Sequence, residues 1–391
     1  MKKFLIFALI LAVAGGAFAQ SLTFSGWMET GFGIRISDAD EAEVEIGYVR
    51  NADFYNRFHL AGVGRNAAGT GEIHFGLRWN NAQVANVIDT ANFRYTFMDG
   101  LLQLIAGRGG PGGFGPADGF DIGGGTGVSL LVHNPVPGLR FGVVYLARQG
   151  DGAQVWTTFP NARFATGVRY EIPGTAVFAL TYRYNGNPET ATNPAFATGD
   201  MSFGADLSAI TRDFNLTRAV VDLLVTDIMA HGYGTHAPNT ANEFRTLRIR
   251  QLFTYQIDSI QIGLEATQSL RLFEGTEPAG YAPTLRFNGW VQYTMGSLVP
   301  RLNWAFGMGN TANIGNFQAP TNQIGDGIQM SGTNYVGEDK MGLALQPQVR
   351  WNLDRSHIET GVNLSFDLGT HAIDPAAKFR AMLFFYYGMT F

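Results

Sequence analysis

Apolar and polar residues alternate along most of this chain, and the alternation recurs from one end to the other. In SLTFSGWMETGFGIRIS, one face carries Leu22, Phe24 and Met28, whereas the opposite face carries Thr23 and Ser25. Side chains of an extended strand point to opposite sides in turn, so a two-residue period predicts β-strands with one apolar and one polar face. The segments EIHFGLRWN, MGLALQPQVRWNL and HIETGVNLSFDL repeat the pattern.

The length of these runs narrows the fold class. A soluble β-sandwich also alternates, but its strands average about five or six residues. Many runs here hold about 10 to 14 residues, and a tilted membrane strand needs about 9 to 11. After residue 20 no apolar run approaches the ~18 residues of a spanning helix. We therefore predict an all-β protein, a transmembrane antiparallel up-and-down β-barrel.

Connections between the runs alternate between short and long. Short turns are predicted at 66–70, 98–100, 134–138, 172–175, 211–213, 257–259, 296–299 and 353–356. Long loops are predicted at 37–55, 80–90, 109–126, 148–162, 185–200, 229–243, 273–283, 309–339 and 369–377. Eight turns and nine loops give eighteen strands, with short periplasmic turns and long external loops. Two segments, DFNLTRAVVDLLVTDIM and 127–133, are ambiguous, and losing one hairpin would give sixteen strands.

The first nineteen residues have the three regions of a secretory signal peptide. Lys2 and Lys3 form the basic region, an apolar core follows, and Ala17-Phe18-Ala19 is an A-x-A cleavage site. We predict a cleaved signal peptide at 1–19 and one barrel domain at 20–391.

Charge and cysteine content exclude several classes of protein. The chain has no Cys, so no disulfide bond stabilises it. Removal of the two signal lysines leaves 25 Lys and Arg against 32 Asp and Glu, a net charge of −7. This balance argues against a nucleic-acid partner. Of the remaining basic residues 23 are Arg, which suits fixed, permanently charged positions.

The chain ends in AMLFFYYGMTF, in which every second residue is apolar: Leu383, Phe385, Tyr387, Met389 and Phe391. Pairing this last strand with the first, 22–36, would close the sheet and leave no open edge. The segment resembles the C-terminal assembly signal of Gram-negative outer-membrane proteins.

Together with the signal peptide, this resemblance extends to the whole mature chain, which resembles a bacterial porin. It implies an outer-membrane location, outer-membrane lipid and the barrel assembly machinery as partners, and a homotrimer. One departure is that Met382, Phe384 and Tyr386 would face inward, where a porin wall is usually more polar.

The interior of a wide barrel holds water, so the residues lining it determine what passes. Strand parity assigns to the inner wall Arg35, Arg57, Arg78, Arg94, Arg140, Arg169, Arg183, Arg248, Arg250, Arg286, Arg301, Arg350 and Arg380. An alternative is that many of these arginines only pair with acids on the wall. The candidate acids are Glu29, Glu265, Glu359 and Asp367.

The third long loop, 109–127, is a candidate constriction. The porin resemblance implies that this loop folds into the lumen with acids facing arginines. Asp118 and Asp121 would be those acids, with Phe114 in the Gly-Phe-Gly segment beside them. The glutamate usual in the porin loop is missing. A mobile surface loop is the alternative.

No enzyme or cofactor signal stands out. The glycine run 123–127 lacks the flanking strand, helix and Lys of a phosphate-binding loop. The chain has no H-x-x-x-H zinc pair; His231 and His236 lie in a predicted external loop and could bind a metal, but two His in a loop are more often simply polar. The outward faces carry no Ser and His pair for a barrel hydrolase. We expect no catalysis, metal or other cofactor.

These observations predict a porin that passes small polar solutes, with a weak anion preference. Arg94, Arg140, Arg248 and Arg286, opposed by Asp118 and Asp121, would set that preference. Two alternatives remain open at this level. One is a surface adhesin or structural barrel that binds through its long loops. The other is a sugar-specific channel, which needs an aromatic track, and for which inward Trp27, Trp290 and Tyr386 are the candidates.

Overall fold

The computed structural model describes most of the barrel wall. The described residues are 21–37, 44–47, 56–80, 88–109, 114, 126–146, 163–184, 199–226, 244–273, 284–308, 341–367 and 379–391. The predicted signal peptide lies outside them.

Within the described residues, nineteen β-strands form one antiparallel sheet. The strands are β1 (Ser21–Ser37), β2 (Val44–Gly47), β3 (Asn56–Arg65), β4 (Gly71–Asn80), β5 (Ile88–Phe97), β6 (Leu102–Arg108), β7 (Thr126–His133), β8 (Leu139–Leu146), β9 (Arg163–Ile172), β10 (Ala176–Tyr184), β11 (Gly199–Asp206), β12 (Leu216–Thr226), β13 (Phe244–Ile257), β14 (Ile260–Phe273), β15 (Thr284–Tyr293), β16 (Leu298–Met308), β17 (Met341–Asn352), β18 (Ser356–Asp367) and β19 (Phe379–Thr390). Each strand from β3 onward pairs with the next.

The sheet closes on itself. β1 pairs with β19 from Trp27 to Ser37, which joins the two ends of the described chain. On its other side β1 pairs with β3 up to Thr30 and with β2 from Gly33 onward. Because β2 and β3 share one place beside β1, eighteen strand positions complete the barrel. The predicted closed barrel of eighteen strands is confirmed.

Two details of the predicted connections are wrong. The first long loop, 37–55, was expected to lack strands, yet it contains β2. β1 extends past the last residue that β3 covers, and β2 pairs with the backbone groups left there.

The two ambiguous segments are strands, namely β7 and β12.

The second detail is the turn predicted at 211–213. It is a longer connection that holds a helix, α1 (Ser208–Thr211), and a 3-10 turn (Arg212–Phe214). Local hydrogen bonds stabilise it: the Ser208 backbone N–H donates to Asp206 Oδ1 at 2.9 Å, and the Ala219 N–H donates to Ser208 Oγ at 3.0 Å. Among the described residues no helix is long and apolar enough to cross a membrane.

The two faces of the closed sheet differ in polarity. Large apolar side chains are exposed on the outer face, for example Phe141, Val143 and Tyr145 along β8. The residues between them, such as Gly142 and Val144, are buried on the inner face. An exposed apolar belt with no covering element is the surface that a barrel presents to lipid.

Candidate functional site: the inner wall of the barrel

Strand register places ten of the predicted arginines on the inner face. They are Arg78, Arg94, Arg140, Arg169, Arg183, Arg248, Arg250, Arg286, Arg301 and Arg350. The side chains of Arg35, Arg57 and Arg380 lie outside the described part of the structure. Alternation alone brings these arginines to one side, because successive side chains of a strand point in opposite directions.

Several of these arginines are paired with acids from the neighbouring strand. Arg250 donates to both oxygens of Glu265, at 2.8 and 3.2 Å, and Glu265 is only 4% exposed. Arg350 lies 3.2 Å from Glu359. These two acids are among the partners expected from the sequence. The pairs neutralise part of the wall and hold adjacent strands in register.

A third pair was missed by the sequence analysis. Arg183 Nη2 lies 2.8 Å from Asp200 Oδ2, and the two residues are directly opposite on β10 and β11. Asp200 falls at the end of the predicted loop 185–200, so the sequence prediction assigned it to no strand face. Extending the alternation of the strand backward through Asp200 would have identified it.

Strands β12 to β15 carry a cluster of charged side chains on the inner wall. Arg248 and Arg250 lie two residues apart on β13, and Arg286 lies on β15 within electrostatic range of both. Buried Asp222 on β12 is the register partner of Arg250. Asp222 was not predicted because its segment was ambiguous between helix and strand. The cluster holds more guanidinium groups than carboxylates.

Hydrogen-bonded polar side chains run across four strands, β14 to β17. Gln292 Nε2 donates to Gln261 Oε1 at 3.0 Å, and Arg301 Nη1 donates to Gln292 Oε1 at 3.4 Å. Arg301 Nε donates to Asn303 Oδ1 at 2.7 Å, and Asn303 Nδ2 donates to Gln346 Oε1 at 2.8 Å. This network fixes the polar side chains on the wall.

Phe114, from the third long loop, is fully buried at 0% exposure. It packs in a cluster with Ile105, Leu131, Val144 and Ala165, whose side chains all lie on the inner face of strands β6 to β9. Phe114 therefore lies against the inner face of the wall. Asp118 and Asp121 lie outside the described residues.

Further contacts are made by Phe114 itself and by the backbone where the loop begins. The Arg140 guanidinium carbon lies 4.7 Å from the centre of the Phe114 ring, a cation–π distance. Asn92 Nδ2 donates to the backbone carbonyls of Arg108 and Gly109, at 3.0 and 3.1 Å. Gly109 has a φ of +93°, a backbone conformation that favours glycine. Asn92 was not singled out from the sequence.

The inward aromatic residue Tyr386 of β19 lies beside two glycines. Tyr386 is 1% exposed and stacks on His357 with ring centres 5.8 Å apart. A Cβ at Gly31 would lie 3.3 Å from the Tyr386 ring, and one at Gly388 would lie 3.2 Å from it. The ring covers wall positions that have no side chain, which explains how the wall accepts it.

Two of the three aromatic residues proposed as a sugar track offer little surface. Trp290 is 3% exposed, and the Arg301 guanidinium carbon lies 4.4 Å from its ring centre. Tyr386 is buried as described above. Trp27 stacks on His59 with ring centres 5.5 Å apart. A track that binds sugar needs open aromatic faces, so these residues do not support the sugar channel.

The five residues of the predicted C-terminal assembly signal lie on the outer face. Leu383, Phe385 and Phe391 are exposed, and Tyr387 and Met389 are partly exposed. Their orientation follows from the pairing of β19 with β1 and β18.

No group of three or more His, Asp or Glu side chains within the described ranges is arranged to hold a metal ion. His231 and His236 lie outside those ranges.

Solved structures with a similar fold are outer-membrane porins. OccD3 (OpdP) of Pseudomonas aeruginosa superimposes with a TM-score of 0.55 at 10% identity, covering 96% of this chain and 92% of that one. A BenF-like porin from Pseudomonas fluorescens Pf-5 gives 0.54 at 9% identity, covering 96% and 100%. An anion-selective porin from Comamonas acidovorans gives 0.51 at 13% identity, covering 95% and 99%.

At these identities the likeness shows the fold: this chain has the fold of outer-membrane porins. No protein-family model matches the chain, and no curated protein matches it.

Proposed function

We propose that this protein is an outer-membrane porin, a water-filled channel through which small polar solutes diffuse passively without catalysis. The observation that carries the proposal is the separation of the two faces in a closed barrel. An outer face of exposed apolar side chains suits lipid, and an inner face of arginine, carboxylate and amide groups suits water and solutes.

The same wall supports a weak preference for anions. Among the side chains that the structure describes, twelve arginines occupy inward strand positions: Arg65, Arg78, Arg94, Arg140, Arg169, Arg183, Arg218, Arg248, Arg250, Arg286, Arg301 and Arg350. Seven acids share that face: Glu72, Glu171, Asp200, Asp206, Asp222, Glu265 and Glu359. An excess of fixed positive charge raises the local concentration of anions. The solved porin from Comamonas acidovorans is described as anion-selective.

Loop 109–127 is the proposed constriction. The burial of Phe114 on the inner wall and its contact with Arg140 support this role, because they attach the loop to the lumen side of the sheet. In this proposal Asp118 and Asp121 provide the acidic side of the constriction, opposite the arginines of the wall.

The membrane partners follow from the outer surface. We propose outer-membrane lipid around the apolar belt and the barrel assembly machinery as the receptor of the C-terminal segment from Leu383 to Phe391. Association of the barrels as a trimer is a further expectation from the porin resemblance, and gel migration of unheated samples tests it.

Planar lipid bilayers test the channel and its selectivity together. With purified protein and a tenfold KCl gradient, we expect stable conductance steps and a reversal potential that shows chloride to be more permeant than potassium. A firm cation preference would contradict the proposed selectivity. The absence of any stable step would contradict the channel and favour an adhesin or structural barrel.

A further inference from the structure

A small polar cavity is built into the inner wall where β15, β16 and β17 approach the turn at 294–297. Its volume is about 190 Å³, and Gln292, Arg301, Gln348 and Arg350 contribute to its lining. A water molecule occupies about 30 Å³ in the liquid, so the cavity has room for a solute of several heavy atoms. All four side chains belong to inward strand positions.

Arg301 is held rigidly at this cavity. It is 7% exposed, its guanidinium lies over the ring of Trp290, and its Nε and Nη1 groups donate to Asn303 and Gln292. Its Nη2 atom is buried and has no hydrogen-bond partner among the described residues. A buried charged donor without a partner is unfavourable, so an acceptor that reaches this nitrogen from the cavity would satisfy it.

Gln348 adds the complementary group. Its Oε1 atom is buried and has no hydrogen-bond donor among the described residues. Arg350 brings a second guanidinium, whose charge is balanced by Glu359 at 3.2 Å. The cavity therefore offers two groups without a partner in the described wall. One is a donor on the positively charged Arg301, which no carboxylate of the described wall contacts at hydrogen-bond distance, and the other is an acceptor on Gln348.

We propose that this cavity is a binding subsite for a small carboxylate that also carries a hydrogen-bond donor, as a hydroxy acid does. The carboxylate accepts from Arg301 Nη2, and the hydroxyl donates to Gln348 Oε1. This inference rests on the proposed function, since the channel supplies the route by which such a solute reaches the wall. The subsite requires a hydrogen-bond donor on the solute, whereas a general preference for anions does not.

Glycolate and acetate form a matched pair of probes, since acetate lacks only the hydroxyl group. By isothermal titration calorimetry of the purified protein in detergent, we expect saturable binding of glycolate and about tenfold weaker binding of acetate, the usual effect of one lost hydrogen bond. The variant Gln348→Met should reduce glycolate affinity to that of acetate. The variant Arg301→Gln should abolish the binding of both.

Gln103→Met is the control, because Gln103 is an inward glutamine on β6 that bonds Thr96 and does not line the cavity. It should leave both affinities unchanged. Equal affinities for glycolate and acetate would overturn the proposal, and so would the absence of saturation, which would mean that the cavity holds water only. If Arg301→Gln fails to fold, Gln348→Met still tests the donor requirement.

The calorimetry also separates this inference from the proposed function. Channels that conduct but do not bind glycolate would overturn the subsite and leave the porin proposal standing. Binding of glycolate by a protein that forms no channel would overturn the porin proposal and leave the subsite standing.

Discussion

The ring of Phe391 occupies the space left by the missing side chain of Gly26, at the point where the barrel closes. A Cβ at Gly26 would lie 2.3 Å from Phe391 Cζ and 2.5 Å from the His59 carbonyl oxygen. The backbones of Gly26 and Phe391 exchange two hydrogen bonds of 3.0 Å, and the ring stacks on Phe58. The last residue of the chain is therefore an integral part of the closed sheet.

Gly26→Ala should destabilise the closed barrel. The added methyl group has no room, and overpacking of this kind costs about 1–3 kcal/mol. We expect a lower urea midpoint for unfolding. We also expect that heating to a lower temperature removes the gel band of the folded barrel. Ser25→Ala, an exposed neighbour on β1, is the control and should change neither. An unchanged midpoint for Gly26→Ala would contradict the tight contact.

The buried ion pair on β13 and β14 should matter more for stability than the exposed pair on β3 and β4. Arg250→Gln leaves Glu265 buried without its partner, which costs about 3–5 kcal/mol. Arg65, 52% exposed beside Glu72, belongs to a pair worth about 0–1 kcal/mol, so Arg65→Gln is the matched control. Urea unfolding followed by tryptophan fluorescence measures both. Equal losses of unfolding free energy in the two variants would show that the interior ion pair is as well hydrated as the exposed one.

The arginine cluster on β13 and β15 should contribute to anion preference. The double variant Arg248→Gln and Arg286→Gln removes two positive charges from the inner wall, so the reversal potential in a KCl gradient should move toward cation preference. The shift should be larger near 0.1 M than near 1 M salt, because the Debye length falls from about 10 Å to about 3 Å. An unchanged reversal potential at low salt would exclude these arginines as determinants of selectivity.

The contact of Phe114 with the wall should restrict the pore. Phe114→Ala removes the aromatic group that anchors the loop against Leu131 and Val144. We expect a larger single-channel conductance with more current noise, since the loop loses its apolar contact with the wall at Phe114. Phe141→Ala, on the outer face of β8, is the control and should leave conductance unchanged. If Phe114→Ala conducts like the original protein, the loop does not limit flow.

The sequence indicated the strands well because their pattern is local. Along β17, the alternation from Leu343 to Trp351 predicted both the strand and its two faces, and the register confirms it. Predictions were weaker where the period is obscured. In β12 a run of valine and leucine hides Asp222, which the pairing with β13 places on the inner face. The strand β2 was missed because it has four residues and, in the described part of the chain, its register is set by pairing with the far end of β1.

By itself, the sequence determined that this chain forms a barrel with an apolar exterior and an arginine-rich interior, because a two-residue period assigns each side chain to a face. Only the tertiary structure decided which inward groups meet. Arg301, Gln292 and Gln348 come from three different strands, and their common cavity depends on how β15, β16 and β17 are staggered. Periodicity along one strand carries no information about that stagger, which is set by cross-strand hydrogen bonds and by closure of the sheet.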